Sequence, residues 1–356
     1  MPALQRAVLC KCDKKGPWHA TGTGTPVAAI FRASAPRRAR CRMAAMKLAA
    51  RRIAAGSRQR LDRDESAVAA LASGLLVVDI GEGAALAVPH KFAGLWSPVA
   101  GRVQASSADG ELALRGECLF ASDSERALEI ATSAGARCIG VIAQQRTWAR
   151  LASITSGRIA PEPAVFPALH DVPPALGASF ASLAGAIGSG AATVWPAARI
   201  AWLAHALHDL QAPYDELVAR CRGRSLAHRK QTFLRLQRVR HCISTHTDGE
   251  LDIARLARMA SYSNWHLIRS FGAVFGETPY AHFMGRRIER ARSMIETGTL
   301  GVGDVAMATG FDSQSSLTRA IKRRLGVSSV ELRRRPHAAA MQALASTACG
   351  DVEVAE

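Results

Sequence analysis

The sequence predicts an α+β protein in several parts: a strand-built domain with accessory helices, then an all-α domain with two helix-turn-helix units. Three observations predict it. Short apolar runs separated by turn signals fill 73–145. Amphipathic helical spacings dominate after residue 197. In the last third, Ser263-Asn264-Trp265-His266-Leu267-Ile268-Arg269 returns 50 positions later as Ser313-Gln314-Ser315-Ser316-Leu317-Thr318-Arg319.

Length and charge bound the organisation. The 356 residues allow two or three domains, and their formal net charge is +17. The charge is uneven: 14 Lys/Arg against one acid in 1–60, and 19 against nine in 229–335. The region between is close to neutral. A basic domain beside a neutral one is the electrostatic footprint of a nucleic-acid binder with a second, non-binding module. The eight cysteines are scattered without a CxxC pair, which fits a reducing compartment and a cytoplasmic protein. No apolar run approaches the ~18 residues that span a bilayer, so no membrane partner is expected.

Residues 1–60 read as a basic, disordered extension. Their Arg-rich, acid-poor character also fits a transit peptide, and a start at Met43 or Met46 is a third reading. Residues 61–150 form the β domain. Gly74–Ile80 and Cys138–Ala143 are apolar runs, and Glu111-Leu112-Ala113-Leu114 alternates; many short strands at this spacing suggest a sandwich or barrel. Residues 151–228 hold accessory helices and a linker. Within them Ala197–Gln211 sets Ile200, Leu203, Leu207 and Leu210 on one stripe. The stripe either packs on its own β domain or forms a dimerisation seam. Residues 223–232 read as a polar connector, with a helix from about Thr232 to His246 after it. Residues 337–356 are an acidic tail.

Residues 229–336 carry about seven helices. Asp252 caps a helix to Ala260, Ser261-Tyr262 turns, and Ser263 caps a second helix that Gly276 stops. Thr278-Pro279 opens a long spacer helix. Val302 to Thr309, Gly310, the Phe311 anchor, Ser313 and Gly326 repeat the pattern. Leu256, Ala257, Leu267, Ile268 and Phe271 should fill the first small core, and Ala306 should stand at the second crossing.

A helix fits the major groove, and its first turns meet base edges. The outward positions Asn264, Trp265, His266 and Arg269, and Gln314, Ser315, Ser316 and Arg319, are therefore the candidate base readers. Arginine can bind guanine O6 and N7, and Asn or Gln can bind adenine. Ser263, Ser313, Arg286, Arg287, Lys322 and Arg323 are candidate phosphate contacts. The bland alternative for any single basic residue is a solvated charge; repetition argues against it at Arg269 and Arg319. The partner these features imply is double-stranded DNA.

This arrangement closely resembles the C-terminal domain of the AraC/XylS family of bacterial transcription regulators over about 229–335. Leu256 through Ser263 resembles that family's first turn, with Ser261 where glycine is usual. Ala306 through Lys322 resembles its second signature. Tyr262 through Leu267 is similar to the Mar/Sox/Rob subgroup, where the tryptophan, a polar residue three further on and the adjacent arginine face the groove. Trp265 and Arg269 match, while Ile268 takes the polar position. The strand-then-helix order of 61–225 resembles the cupin-like sensor half of many members. The resemblance implies activation through contact with RNA polymerase more often than repression and a middle domain that can answer a small-molecule effector, whose site the sequence leaves unassigned; the Ala197–Gln211 stripe suggests a homodimer.

An enzyme of the cupin or DNA-repair type, reaching DNA through the helical domain, is one alternative, and a DNA-binding protein whose middle domain is only a dimer scaffold is another. Metal-binding cupins present His-x-His and a following Glu, whereas His90 is followed by Lys91 and Phe92. Cys10, Cys12 and Cys41 have the wrong spacing for a zinc site. The Pro-Cys-His-Arg motif of repair methyltransferases is absent from the sequence. No metal, cofactor or catalytic residue is expected.

Overall fold

The computed structural model describes residues 47–334, apart from 117, 157–159, 248, 299 and most of 173–196. Eleven described strands make two sheets. Strands β1 (Lys47–Ile53), β3 (Gly74–Ile80), β10 (Arg137–Gln144), β5 (Phe92–Ala100), β8 (Cys118–Ser122) and β11 (Ala168–Asp171) form one in that order. Strands β2 (Arg58–Arg60), β4 (Ala85–Val88), β9 (Leu128–Thr132), β6 (Val103–Ser107) and β7 (Gly110–Leu114) form the other. β1 with β3 and β2 with β4 are parallel, and the remaining pairs are antiparallel.

β3 and β10 are largely apolar because both their faces are covered, and the buried Asp79 of β3 pairs with Arg137 of β10. Leu76, Val78, Ile80, Cys138 and Ile142 point between the sheets, with Trp96 and Phe120. Leu75, Val77, Ile139 and Val141 point outward under a helical layer. Gly140 makes room for Trp96: a Cβ there would lie 2.3 Å from the indole ring. Large side chains thus fill the space between the sheets.

The helical layer contains α2 (Gln145–Ser156) and α3 (Ala197–Gln211), after α1 (Glu65–Ser73) at the sheet edge. Leu203 and Leu207 of α3 are only 2% and 1% exposed, buried with Trp148 and Phe180 of the same chain. Leu210 is partly buried on the same cluster. The dimerisation seam expected through Leu203 and Leu207 is therefore corrected, because an internal core already occupies that face. The side chain of Ile200 lies outside the described residues.

Two boundaries also move. The expected disordered extension 1–60 overlaps β1 and β2, which pair with β3 and β4 and bury Ile53. Residues 1–46, like the acidic tail 337–356, lie outside the described residues. The expected connector 223–232 is largely helix. After α4 (Asp215–Arg220), α5 runs Leu226–Thr245, because Ser225 accepts the His228 N–H as its cap.

The remaining helices are α6 (Ile253–Ala260), α7 (Asn264–Phe275), α8 (Pro279–Thr297), α9 (Val302–Ala308), α10 (Gln314–Leu325) and α11 (329–334). With α5 they make the seven expected of the all-α domain. The core under α5–α7 is shared with the preceding region. Phe233 meets Phe166 edge to face at 4.8 Å and Tyr214 at 5.4 Å, and Val218 and Cys221 join the same cluster. The cluster under α9 and α10 begins at Met284 and Ile288 of α8.

A buried ionic cluster locks α5 to the β domain. The Arg238 side chain is 4% exposed and donates two hydrogen bonds to Asp123 at 3.2 Å and one to Glu125 at 2.7 Å. Burial disfavours both charges. Asp123 and Glu125 nevertheless raise the Arg238 pKa, and Arg238 holds the Glu125 carboxyl below its usual range. Beside this cluster, the β6–β7 turn touches the first helix-turn-helix unit. His246 Nε2 accepts the Glu111 N–H at 3.1 Å, and Arg255 of α6 donates to the Asp109 carbonyl at 2.9 Å.

Candidate nucleic-acid interface

Local chemistry shapes each unit. Asp252 Oδ1 caps α6 through the Arg255 N–H, and Ser263 Oγ caps α7 through the His266 N–H. Thr278 Oγ1 caps α8, with Pro279 at its first position. Ser313 Oγ caps α10 through the Ser316 N–H. Gly276 and Gly326 stop α7 and α10 with φ of +77° and +73°.

The two turns close alike. Tyr262 N–H reaches Ala257 O at 2.8 Å, and Phe311 N–H reaches Ala306 O at 2.9 Å. The pivot is left-handed in both, at Ser261 (φ +57°) and Gly310 (φ +72°). Serine there carries a steric cost that glycine would not. Asp312 makes the second turn one residue longer before its serine cap. Leu256, Ala257, Leu267 and Phe271 are buried in the first unit, and Ala306, Phe311, Leu317 and Ile321 in the second. Ile268, expected in the core, is 40% exposed on the outer face of α7.

The first turns of α7 and α10 face solvent. Asn264, Trp265, His266 and Arg269 are exposed, Trp265 at 67%. The Arg269 guanidinium lies 5.0 Å from the Trp265 ring centroid, and His266 stacks on Tyr262 at 4.4 Å. Gln314, Ser315 and Arg319 are exposed, and Ser316 is half-buried. Arg319 Nε donates to Ser315 O at 3.3 Å, one helical turn back.

Among the residues assigned to phosphate, Ser263, Ser313, Arg286, Lys322 and Arg323 are exposed. Lys322 and Arg323 also stand in the last turn of α10, where positive charge complements the helix dipole. Arg287 is different. It is half-buried and donates to three backbone carbonyls, those of Thr247, Gly249 and Gly310. Its donors face the protein in this arrangement. Spacing along α8 could not separate it from its exposed neighbour Arg286. Arg238 and the Glu277–His282 pair were also missed, because their roles depend on contacts made in the fold.

Comparison with known proteins bears on this region. The family described as "Helix-turn-helix domain" matches residues 256–335. The right origin-binding protein of Escherichia coli K12 is 33% identical over 91 residues, 26% of this chain and 32% of that protein. The transcriptional activator AarP of Providencia stuartii is 34% identical over 80 residues, 22% of this chain and 59% of that one. The aligned segment thus spans about a third of the first relative. A probable AraC family transcriptional regulator from Rhodopseudomonas palustris, of solved structure, is 19% identical over 29% of this chain and 96% of its own, with a TM-score of 0.28. Residues 256–335, with their paired capped helices, thus form a helix-turn-helix domain similar to that of curated transcription regulators.

Proposed function

We propose that the protein is a sequence-specific, DNA-binding regulator of transcription, acting more often as an activator than as a repressor. The observation that carries this reading is a pair of serine-capped helices whose first turns are exposed, polar and basic, within a matched helix-turn-helix domain. α7 and α10 enter successive major grooves, roughly 34 Å apart on one face of the duplex. Asn264, Trp265, His266 and Arg269 meet one set of base edges, and Gln314, Ser315, Ser316 and Arg319 the other. Ser263, Ser313, Arg286, Lys322 and Arg323 meet phosphates. Matched relatives named as regulators and activators favour this over an enzyme that borrows the domain.

The β domain acts as a sensor. A small cavity of about 60 Å³ between β6–β9 and α5, lined by Leu112, Phe120 and Leu128 and bordered by Arg238, His241 and His246, would have to widen to admit an effector. An occupant there would press on α5 and change how the first unit is held. RNA polymerase contact, homodimerisation through a surface other than the Leu203–Leu207 face, and a cytoplasmic location complete the reading.

Sequencing genomic DNA retained by the purified protein tests it. The expected result is a recurring two-part motif with its parts about one helical turn apart. Retained DNA with no enriched motif would refute sequence-specific regulation.

A further inference from the structure

Arg287 sits midway along α8, between the two reading units. Its Nε donates to Thr247 O and its Nη1 to Gly310 O, each at 3.0 Å, and its Nη2 donates to Gly249 O. The head group also lies 4.4 Å from the centroid of the Phe283 ring. Thr247 and Gly249 follow the C-terminal end of α5, and Gly310 follows that of α9. One guanidinium therefore ties the loop between α5 and α6 to the turn of the second unit. Gly310 permits the approach: its φ is +72°, and a Cβ would stand 2.6 Å from Arg287 Nη2. Beside it, Arg290 Nη1 donates to Thr247 Oγ1 at 3.2 Å.

A second strap crosses near the N-terminal end of α8. Arg324 of α10 lies 3.8 Å from Glu277. Glu277 pairs with His282 Nδ1 at 2.8 Å, and His282 Nε2 meets Ser244 Oγ of α5 at 3.0 Å. The second unit is thus held at two separated points, through Gly310 to Arg287 of α8 and through Arg324 to Glu277. A spacer helix fixed only by its own backbone would lack these cross-ties.

We propose that Arg287 is a positioning residue that fixes the register between α7 and α10, and so sets the spacing accepted between the two contacted DNA segments. The inference rests on the two-groove reading above. Three carbonyls in different directions need the planar, five-donor guanidinium; the compact ammonium of lysine keeps the charge but cannot span them.

The test uses the full-length protein and duplexes carrying its selected site, with base pairs inserted or removed between the two parts. One inserted pair rotates the second part by about 35° and moves it by about 3.4 Å. The wild-type chain should lose about tenfold or more in affinity, a barrier of ~1.4 kcal/mol. Arg287→Lys should bind the best site somewhat more weakly but lose less than about threefold on insertion. An unchanged tenfold penalty in Arg287→Lys would overturn the proposal. Equal weakening on every duplex, with a salt slope smaller by about one, would overturn it too and restore a phosphate contact. Where Arg287→Lys melts below the assay temperature, Arg324→Gln at the second strap replaces it. Relaxed spacing then supports the proposal, and the wild-type penalty overturns it. A wild-type protein with no two-part site would instead sink the DNA reading itself.

Discussion

Replacing Arg238 by methionine keeps the side-chain volume and removes the charge that holds α5 to the β domain. The guanidinium makes three hydrogen bonds, two to Asp123 and one to Glu125, and lies 3.9 Å from Asp109. Asp123 is itself only 6% exposed, so its carboxylate would be left buried without its partner. Breaking a buried pair from one side costs about 3–5 kcal/mol, most of it from the stranded charge. For a chain of this size that corresponds to a fall of about 4–8 °C in melting temperature. The sharper measurement is a cycle in which Asp123→Asn and Glu125→Gln are added to Arg238→Met. The triple variant should regain at least ~1 kcal/mol over the single one in urea unfolding, because neutral amides tolerate burial better than unpaired carboxylates. Sensitivity to acid should change as well. The depressed Glu125 carboxyl contributes stability that is present above the ordinary glutamate range and lost as pH falls through its folded pKa. That loss should shrink in Arg238→Met. A single variant within ~1 kcal/mol of the wild type would refute the view that this cluster anchors α5, as would a triple variant less stable than the single.

Three further outcomes are expected. Arg319→Ala should cost about 1–3 kcal/mol on the best site and relax preference at one or two base positions, whereas Arg323→Ala should weaken all sequences alike and flatten the salt dependence by about one unit; unchanged base preference in both, read by binding selection, would refute the division into readers and clamps. Leu203→Asp with Leu207→Asp should unfold the outer helical layer, since both side chains are buried with Trp148; circular dichroism showing a folded chain would count against that internal core. Deleting 1–42 should leave specific binding intact and lower only non-specific, low-salt affinity, while deleting 1–60 should also destabilise the β domain by removing β1, β2 and buried Ile53; equal stability of the two truncations, measured by thermal melting, would refute a structural role for 47–60.

Much of the helical domain could be read from the sequence because its signals are local. Asp252, Ser263, Thr278 and Ser313 cap helices within three residues of the N–H groups they satisfy, and Gly276, Gly310 and Gly326 mark left-handed positions that favour glycine. The recurrence of leucine, arginine and glycine after 50 residues showed that two units share one architecture. The alternating and continuous apolar runs of the β domain were legible for the same reason.

Pairing between distant segments was decided only by tertiary structure. Lys47–Ile53 has the composition of a basic tail and becomes a strand because β3, 27 positions later, offers it a parallel edge. The stripe on α3 has the same periodicity whether it meets a partner or its own sheet, and the neighbouring layer around Trp148 decides between them. Arg286 and Arg287 are adjacent and chemically identical. One faces solvent and the other binds three carbonyls, because helix rotation turns only the second toward the ends of α5 and α9. Capping and periodicity act over a few residues and leave a trace in the chain. The partner of a charge more than 100 positions away, as Asp123 is from Arg238, is decided only when the domains pack.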